Sequence, residues 1–231
     1  MKKNNHFAII IAAKKYNNIL RRTLKAIYKQ TILPQQLIIV LAETGKIIIP
    51  KNIKSRVVYS KIKNQVHQRT IGLKFLDKKI KIILQLDDKI ILEKNSIKFL
   101  LEEWENTDNN IAGIALNPKN YVRPKTNFFH YLTLTNSNID GKILPSGFAN
   151  GWSEIKKNRK MDWLNGGMTS WKLKFIPQIY KRKFPVLKWS VCEDLFFSYG
   201  VSKKYKLILS SKSKAKIILK NDKVSLLENF N

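Results

Sequence analysis

Apolar residues along this chain gather in short unbroken runs, separated by stretches where they recur at helical spacing. Phe7 to Ala13 is such a run, rich in Ile, and predicts a strand covered on both faces. From Asn18 to Gln30, Ile19, Leu20, Leu24, Ile27 and Tyr28 recur near helical spacing. Pro34 ends the connection, and Gln36 to Ala42 (QLIIVLA) reads as a second buried strand. Strand, helix and strand in that order make a βαβ unit with a parallel pair. The pattern then repeats: a short strand over Arg56 to Ser60, a helix over Gln65 to Leu76, and a buried strand over Ile80 to Leu86 (IKIILQL). Asn95 or Ser96 is placed to cap a helix reaching about Glu105, and Ile111 to Leu116 reads as one more strand.

Alternation of this kind predicts a mostly parallel sheet with helices on both faces, and ligands in such sheets bind at the carboxyl ends of the strands. Asp87 and Asp88 fall at such an end. From Asn117 to Met161 regular periodicity gives way to Pro, Gly, Asn and aromatic residues, among them Tyr121, Phe128, Phe129, Tyr131, Phe148 and Trp152. Loops this long inside a domain usually carry function. These aromatics suit an acceptor groove or a cover for the sheet equally well. A Gly-Gly turn within Asn165 to Met168, a helix over Glu193 to Val201, a strand over Tyr205 to Leu209 and a lysine-rich tail complete the reading.

The length of 231 residues suits one α/β domain, divided at about residue 116 into a first half and a second half reaching 209, with a basic tail over 210–231. The lone cysteine, Cys192, excludes an intramolecular disulfide framework and fits a reducing, cytoplasmic setting. No apolar run reaches the length of a bilayer span. Lys2 and Lys3 before Phe7 to Ala13 resemble a short secretory signal, but Lys14 and Lys15 follow at once, so a buried first strand is the better reading. The formal charge of +28 favours anionic partners, including a peripheral contact with the inner face of an anionic membrane. Only seven of the 44 basic residues are Arg, the preferred reader of phosphates and bases, which argues against a dedicated nucleic-acid role. Abundant Lys, Ile and Asn throughout the chain equally fit a compositional bias.

Two adjacent carboxylates leaving a strand suit a divalent cation held through oxygen, and equally suit a turn or a helix cap. Glu193 and Asp194 open a helical stretch, where the dipole keeps a carboxylate ionised and able to accept a proton; ordinary N-terminal helix charge is the plain alternative.

Taken in order, the motifs resemble family 2 glycosyltransferases of the GT-A fold. Gln30-Thr31 before Pro34 and Glu43 after the second strand are similar to that family's opening. Gln68-Arg69-Thr70-Ile71-Gly72 is similar to its Arg-Asn-x-Gly segment, and Leu86-Asp87-Asp88 to its strand-terminal aspartate motif. Leu164-Asn165-Gly166-Gly167-Met168 resembles its Gly-Gly turn, and Glu193-Asp194 its Glu-Asp pair. The likeness spans roughly residues 7 to 209. It implies a single-domain, Rossmann-like GT-A protein that moves a sugar from a nucleotide-diphosphate donor to a saccharide or lipid-linked acceptor with inversion.

Carried over, the resemblance puts Ala13, Lys14 and Glu43 beside the nucleotide base and Arg69 near the base or diphosphate. Asp87 falls near the ribose and Asp88 near a Mn²⁺ or Mg²⁺ cation. Lys89, Trp163, Asn165, Gly166 and Gly167 fall about the donor sugar and acceptor, with the two glycines letting backbone approach the sugar. Asp194 becomes the catalytic base with Glu193 beside it. The chain departs from the family at Lys89, where a third aspartate is common, and no histidine follows His130, so metal dependence stays open. Ala12-Ala13 replaces the usual Pro-Thr, and the Gln-x-x-Arg-Trp segment of processive members is missing. The rival expectation is a basic module binding nucleic acid or an anionic membrane on a catalytically inactive GT-A fold.

Overall fold

The computed structural model describes residues 6–176 and 192–218. In chain order they form β1 (Phe7–Ala13), α1 (Asn18–Tyr28), β2 (Gln36–Leu41), β3 (Lys54–Tyr59), α2 (Gln65–Leu73), β4 (Ile82–Asp87) and β5 (Ile90–Leu92). Then come α3 (Ser96–Glu105), β6 (Ile111–Pro118), α4 (Phe128–Leu132), β7 (Arg159–Met161), β8 (Met168–Lys172), α5 (Glu193–Ser202) and β9 (Lys206–Ile217). One sheet runs in the order β3-β2-β1-β4-β8-β6-β9-β5, with β7 paired to β9.

The four strands β3-β2-β1-β4 are parallel throughout, β1 lying between β2 and β4. Every residue of β1 and β2 is buried, as their unbroken apolar runs require of strands covered on both faces. Phe7, Ile9, Ile11 and Ala13 face a core completed by Leu20, Leu24 and Ile27 of α1 and by Ile97, Leu100, Leu101 and Trp104 of α3. Ala8 and Ile10 face the opposite core, with Ile71 and Leu73 of α2 and Val201 of α5. Helices therefore cover both faces of one mixed, mostly parallel sheet. Antiparallel pairing enters with β8, which lies between β4 and β6.

Several boundaries differ from expectation for local reasons. α1 stops at Tyr28, and Gln30 spends its side chain outside the helix: its amide donates to the Ala26 and Glu93 carbonyls and its oxygen accepts from the Ile97 N–H at 3.0 Å. That residue ties α1 to α3. α2 ends at Leu73, and β4 begins only at Ile82, because the Ile80 N–H turns back to the Asp77 carbonyl. Asn95 takes the cap position of α3 without a side-chain bond, while the Ser96 hydroxyl donates to the Lys214 carbonyl. The strand expected over Tyr205 to Leu209 continues as β9 to Ile217, so residues 210–217 belong to the sheet rather than to a basic tail. The rest of that tail lies outside the described residues. β9 alternates buried and outward positions, with Lys206, Lys212 and Lys216 turned out. The irregular stretch from Asn117 contains α4 and β7.

Candidate active site

A cleft of about 350 Å³ opens where β4 ends, walled by Gln65, Arg69, Asp87, Lys89, Tyr121, Asn165, Gly166, Gly167, Glu193 and Asp194, among others. Five separate stretches of sequence supply these residues, and identifiable contacts hold four of them there.

Arg69 arrives through α2. Asn64 caps that helix by accepting from the His67 N–H at 3.0 Å. Gly72, one turn beyond Arg69, lets the helix lie close on the sheet, for a Cβ there would fall 2.7 Å from the Ile10 side chain. Between them Gln68 is buried and donates to the Ala13 and Val40 carbonyls at 2.8 and 2.9 Å, fastening α2 to the ends of β1 and β2. Arg69 is thereby held in the interior with its side chain 4% exposed. Its Nη2 donates to Asp87 Oδ1 at 2.7 Å, and Nη1 lies 3.9 Å from Glu193 Oε1.

The Gly-Gly turn is shaped around this ion pair. A Cβ on Gly167 would fall 2.3 Å from Asp87 Oδ2, and one on Gly166 would fall 2.6 Å from Arg69 Nη1. The close approach that demands glycine in this structure is made to Asp87 and Arg69. The Asp87 N–H also donates to the Gly167 carbonyl at 2.7 Å, continuing the pairing of β4 with β8.

The acidic pair arrives with α5. Ser198 of that helix accepts from the Leu164 N–H at 2.9 Å and donates to the Asp194 carbonyl at 2.6 Å, so it clamps the helix to the Leu164–Gly167 turn. Asp194 Oδ2 accepts from the Gly166 N–H at 3.1 Å, and Oδ1 from the Leu195 N–H at 2.9 Å. Two backbone donors fix the carboxylate beside the cleft. Glu193 behaves otherwise than its place at a helix start implies: burial, aided by the charge of Asp194, raises its pKa above the ordinary carboxylate value despite the nearby Arg69.

The remaining expected residues divide. Lys89 and Asn165 line the cleft. Asp88 does not stand among its lining residues; its carbonyl accepts from Thr23 at 2.5 Å, and burial, then the charge of Asp87, raises its pKa. Ala13, Lys14 and Glu43 gather at the adjoining ends of β1 and β2, outside the cleft lining. There Glu43 lies 3.6 Å from Lys14 and 3.1 Å from Lys63, and the Lys63 hydrogen bond holds its carboxyl below the usual range. Trp163 lies outside the lining too, with its indole N–H donating to the Asn150 carbonyl at 2.9 Å and its ring edge-to-face on Trp152. Tyr121 is a cleft residue that the sequence marked only as one aromatic of a long segment, and Gln65 was marked only as the start of a helix.

The donor set does not fit a divalent cation. Asp87 already spends Oδ1 on a buried guanidinium, Asp88 is outside the lining, and Lys89 adds a positive charge to it. Among the described residues no group of three or more His, Cys, Asp or Glu side chains is placed to hold a metal ion.

This arrangement, a parallel half-sheet extended by an antiparallel strand with the cleft at the end of β4, is the GT-A fold. Two solved GT-A glycosyltransferases share it. A crystal structure of GalNAc-T7 with UDP, GalNAc and Mn²⁺ matches with a TM-score of 0.65 at 14% identity, over 92% of this chain and 44% of that one. Residues 1–349 of TarS from S. aureus match with a TM-score of 0.58 at 11% identity, over 91% of this chain and 60% of that one. The chain therefore spans about half the length of these two structures. No family model and no curated protein sequence matches it. Among the described residues no helix is long and apolar enough to cross a membrane.

Proposed function

We propose that this chain is a glycosyltransferase of the family 2 type, moving a sugar from a nucleoside-diphosphate donor to an acceptor hydroxyl by single displacement with inversion. The observation that carries the reading is the convergence of Arg69, Asp87, the Gly166-Gly167 turn, Glu193 and Asp194 on one cleft at a strand end. Ligands of open α/β sheets bind at that edge.

In the reaction, Asp194 takes the proton of the acceptor hydroxyl as its oxygen bonds to the anomeric carbon. The bond from that carbon to the diphosphate oxygen breaks on the far side, and the nucleoside diphosphate leaves with the electron pair. Both Asp194 oxygens keep a lone pair beyond the backbone donors they satisfy, so the group is positioned and still able to accept a proton. Charge builds on the departing diphosphate, and fixed cations there lower the barrier. Arg69 is largely neutralised by Asp87, which leaves exposed Lys89 as the cation with charge to give. Glu193, raised by burial, is suited to hold a hydroxyl of the acceptor by hydrogen bond.

Purified protein offered a panel of nucleotide sugars tests the reading. It should bind one donor class and slowly hydrolyse it, with the hydrolysis lost in Asp194→Asn. Silence on every donor, with tight and salt-steep binding of nucleic acid, would replace the reading with a binding module on an inactive fold.

A further inference from the structure

Among the described residues, most of the exposed large apolar side chains fall in the segment after β6. Val122 is 82% exposed, and in α4 Phe128, Phe129 and Leu132 are 73%, 71% and 70% exposed. No residue of this helix is buried. Its fold is held by polar bonds instead: Asn127 and His130 form a reciprocal capping box, and Thr133 donates to the Phe129 carbonyl at 2.7 Å. Beyond the helix Leu134 takes a left-handed backbone, φ 52°, where glycine is usual, and keeps an exposed leucine at that place. The Ser146 hydroxyl donates to the Leu134 carbonyl, which brings the turn bearing exposed Phe148 against the same knob.

Exposed apolar surface of this extent marks an interaction site. The occupant is set by charge. A chain with a formal charge of +28 repels a second copy of itself and attracts an anionic surface, and Lys125 stands two residues ahead of the helix cap. Aromatic and aliphatic side chains held out on a rigid turn, on a basic body, fit the boundary between headgroups and acyl chains. We propose that α4, with Val122, Leu134 and Phe148, is a docking surface for an anionic lipid bilayer.

The placement bears on the cleft. The apolar segment starts at Tyr121, which lines the cleft, and seven residues of chain to Phe128 span at most about 25 Å. A bilayer seated on α4 thus lies within about 25 Å of a residue that lines the same cleft as Asp194, a reach that suits an acceptor carried on a lipid. That last clause rests on the reaction proposed above, whereas the docking does not.

Sedimentation with vesicles tests it. Wild-type protein should pellet with phosphatidylcholine vesicles containing a third phosphatidylglycerol, pellet far less with phosphatidylcholine alone, and be released as salt rises. Phe128→Ser/Phe129→Ser/Leu132→Ser removes exposed groups only, so it should keep the wild-type melting curve and bind the anionic vesicles roughly 10-fold or more weakly. Phe129→Trp should shift its emission to shorter wavelength on adding the vesicles, measured as the difference from wild type. Wild-type affinity in the triple variant, or no shift at position 129 in pelleted protein, overturns the proposal. So does a lipid-free dimer in velocity sedimentation that the triple variant abolishes, which would assign the surface to a second copy. All readouts are of binding, so a protein that docks but turns over no donor sinks the reaction alone.

Discussion

Arg69 and Asp87 meet at 2.7 Å beneath a turn whose two glycines have no room for anything else: a Cβ on Gly167 would lie 2.3 Å from Asp87, and one on Gly166 would lie 2.6 Å from Arg69. The two positions are not equivalent. Asp87 is short and pinned, whereas the Gly166 clash is with the far end of a longer side chain that has some freedom to give. Gly167→Ala should therefore cost about 1–3 kcal/mol of stability and most of the activity, with Gly166→Ala the milder of the two. Asp87→Ala leaves Arg69 buried and unpaired and should itself destabilise, but in that background Gly167→Ala should cost less further stability than it does in the wild type, because the clashing carboxylate is gone. Equal melting curves for both glycine variants would show that the ion pair does not shape the turn.

Asp88 carries a prediction of the opposite sign. Its folded pKa is raised by burial and by Asp87, so as pH climbs the unfolded chain gives up this proton before the folded protein does. The group's stabilising contribution is then complete below the ordinary aspartate value and is lost as pH rises through the raised one. Asp88→Asn should melt above wild type at pH 7, and the gap should close as pH falls below about 3.9, the unperturbed value. A gap that widens on acidification would mean that the carboxylate is stabilised in the folded state, as a cation or an unseen donor would do.

How much of this was legible beforehand depended on whether burial left a mark in the pattern. β1 and β2 are apolar at nearly every position because both faces are covered, and such runs have few other readings. β9 left a weaker mark. Its buried positions include Ser210 and Ser213, the latter donating to the Ser96 carbonyl at 2.8 Å, so a strand paired on both sides reads as a polar, lysine-rich tail. In the cleft, Arg69, Asp87, Lys89, Gly166, Gly167, Glu193 and Asp194 were picked out by motif order. What no motif could tell is which member of an acidic pair faces the cleft: Asp87 is drawn in by Arg69, while Asp88 turns aside one residue later. Spacing likewise did not show that Gln68, inside the same motif, works as a fastener between strand ends.

Lys89, together with the lack among the described residues of a side-chain group placed to hold a metal, makes metal dependence measurable. If Lys89 supplies charge to the leaving diphosphate, turnover should persist in chelator, and Lys89→Ala should lower kcat by roughly 10-fold or more without rescue by Mn²⁺ or Mg²⁺. Lys89→Arg keeps the charge and should retain more activity than the alanine variant. Turnover abolished by chelator and restored by Mn²⁺ would show that Asp87 or Asp88 releases its present partners to hold a cation, and that Lys89 is not its substitute.

The mechanism itself rests on Asp194 and Glu193 having different tasks, and their surroundings already differ. Asp194 is held by the Gly166 and Leu195 N–H groups, whereas Glu193 sits near Arg69 with its pKa raised by burial. Asp194→Asn sets an amide NH₂ against one of those two donors, so the variant should lose about 1–3 kcal/mol of stability yet remain folded. Its kcat should fall by roughly 10²-fold or more while donor binding, measured apart from turnover, stays near wild type. Glu193→Gln should do the reverse to stability: the neutral side chain ends the cost of ionising a buried carboxyl, so melting should rise at neutral pH. Its effect on turnover should be smaller and appear mainly in KM for the acceptor. If Glu193→Gln proves the dead variant while folded Asp194→Asn still turns over, the base is Glu193 and the roles exchange. If instead Asp194→Asn loses donor binding together with turnover, its carboxylate serves to hold α5 against the Gly166 turn, and the proton goes elsewhere.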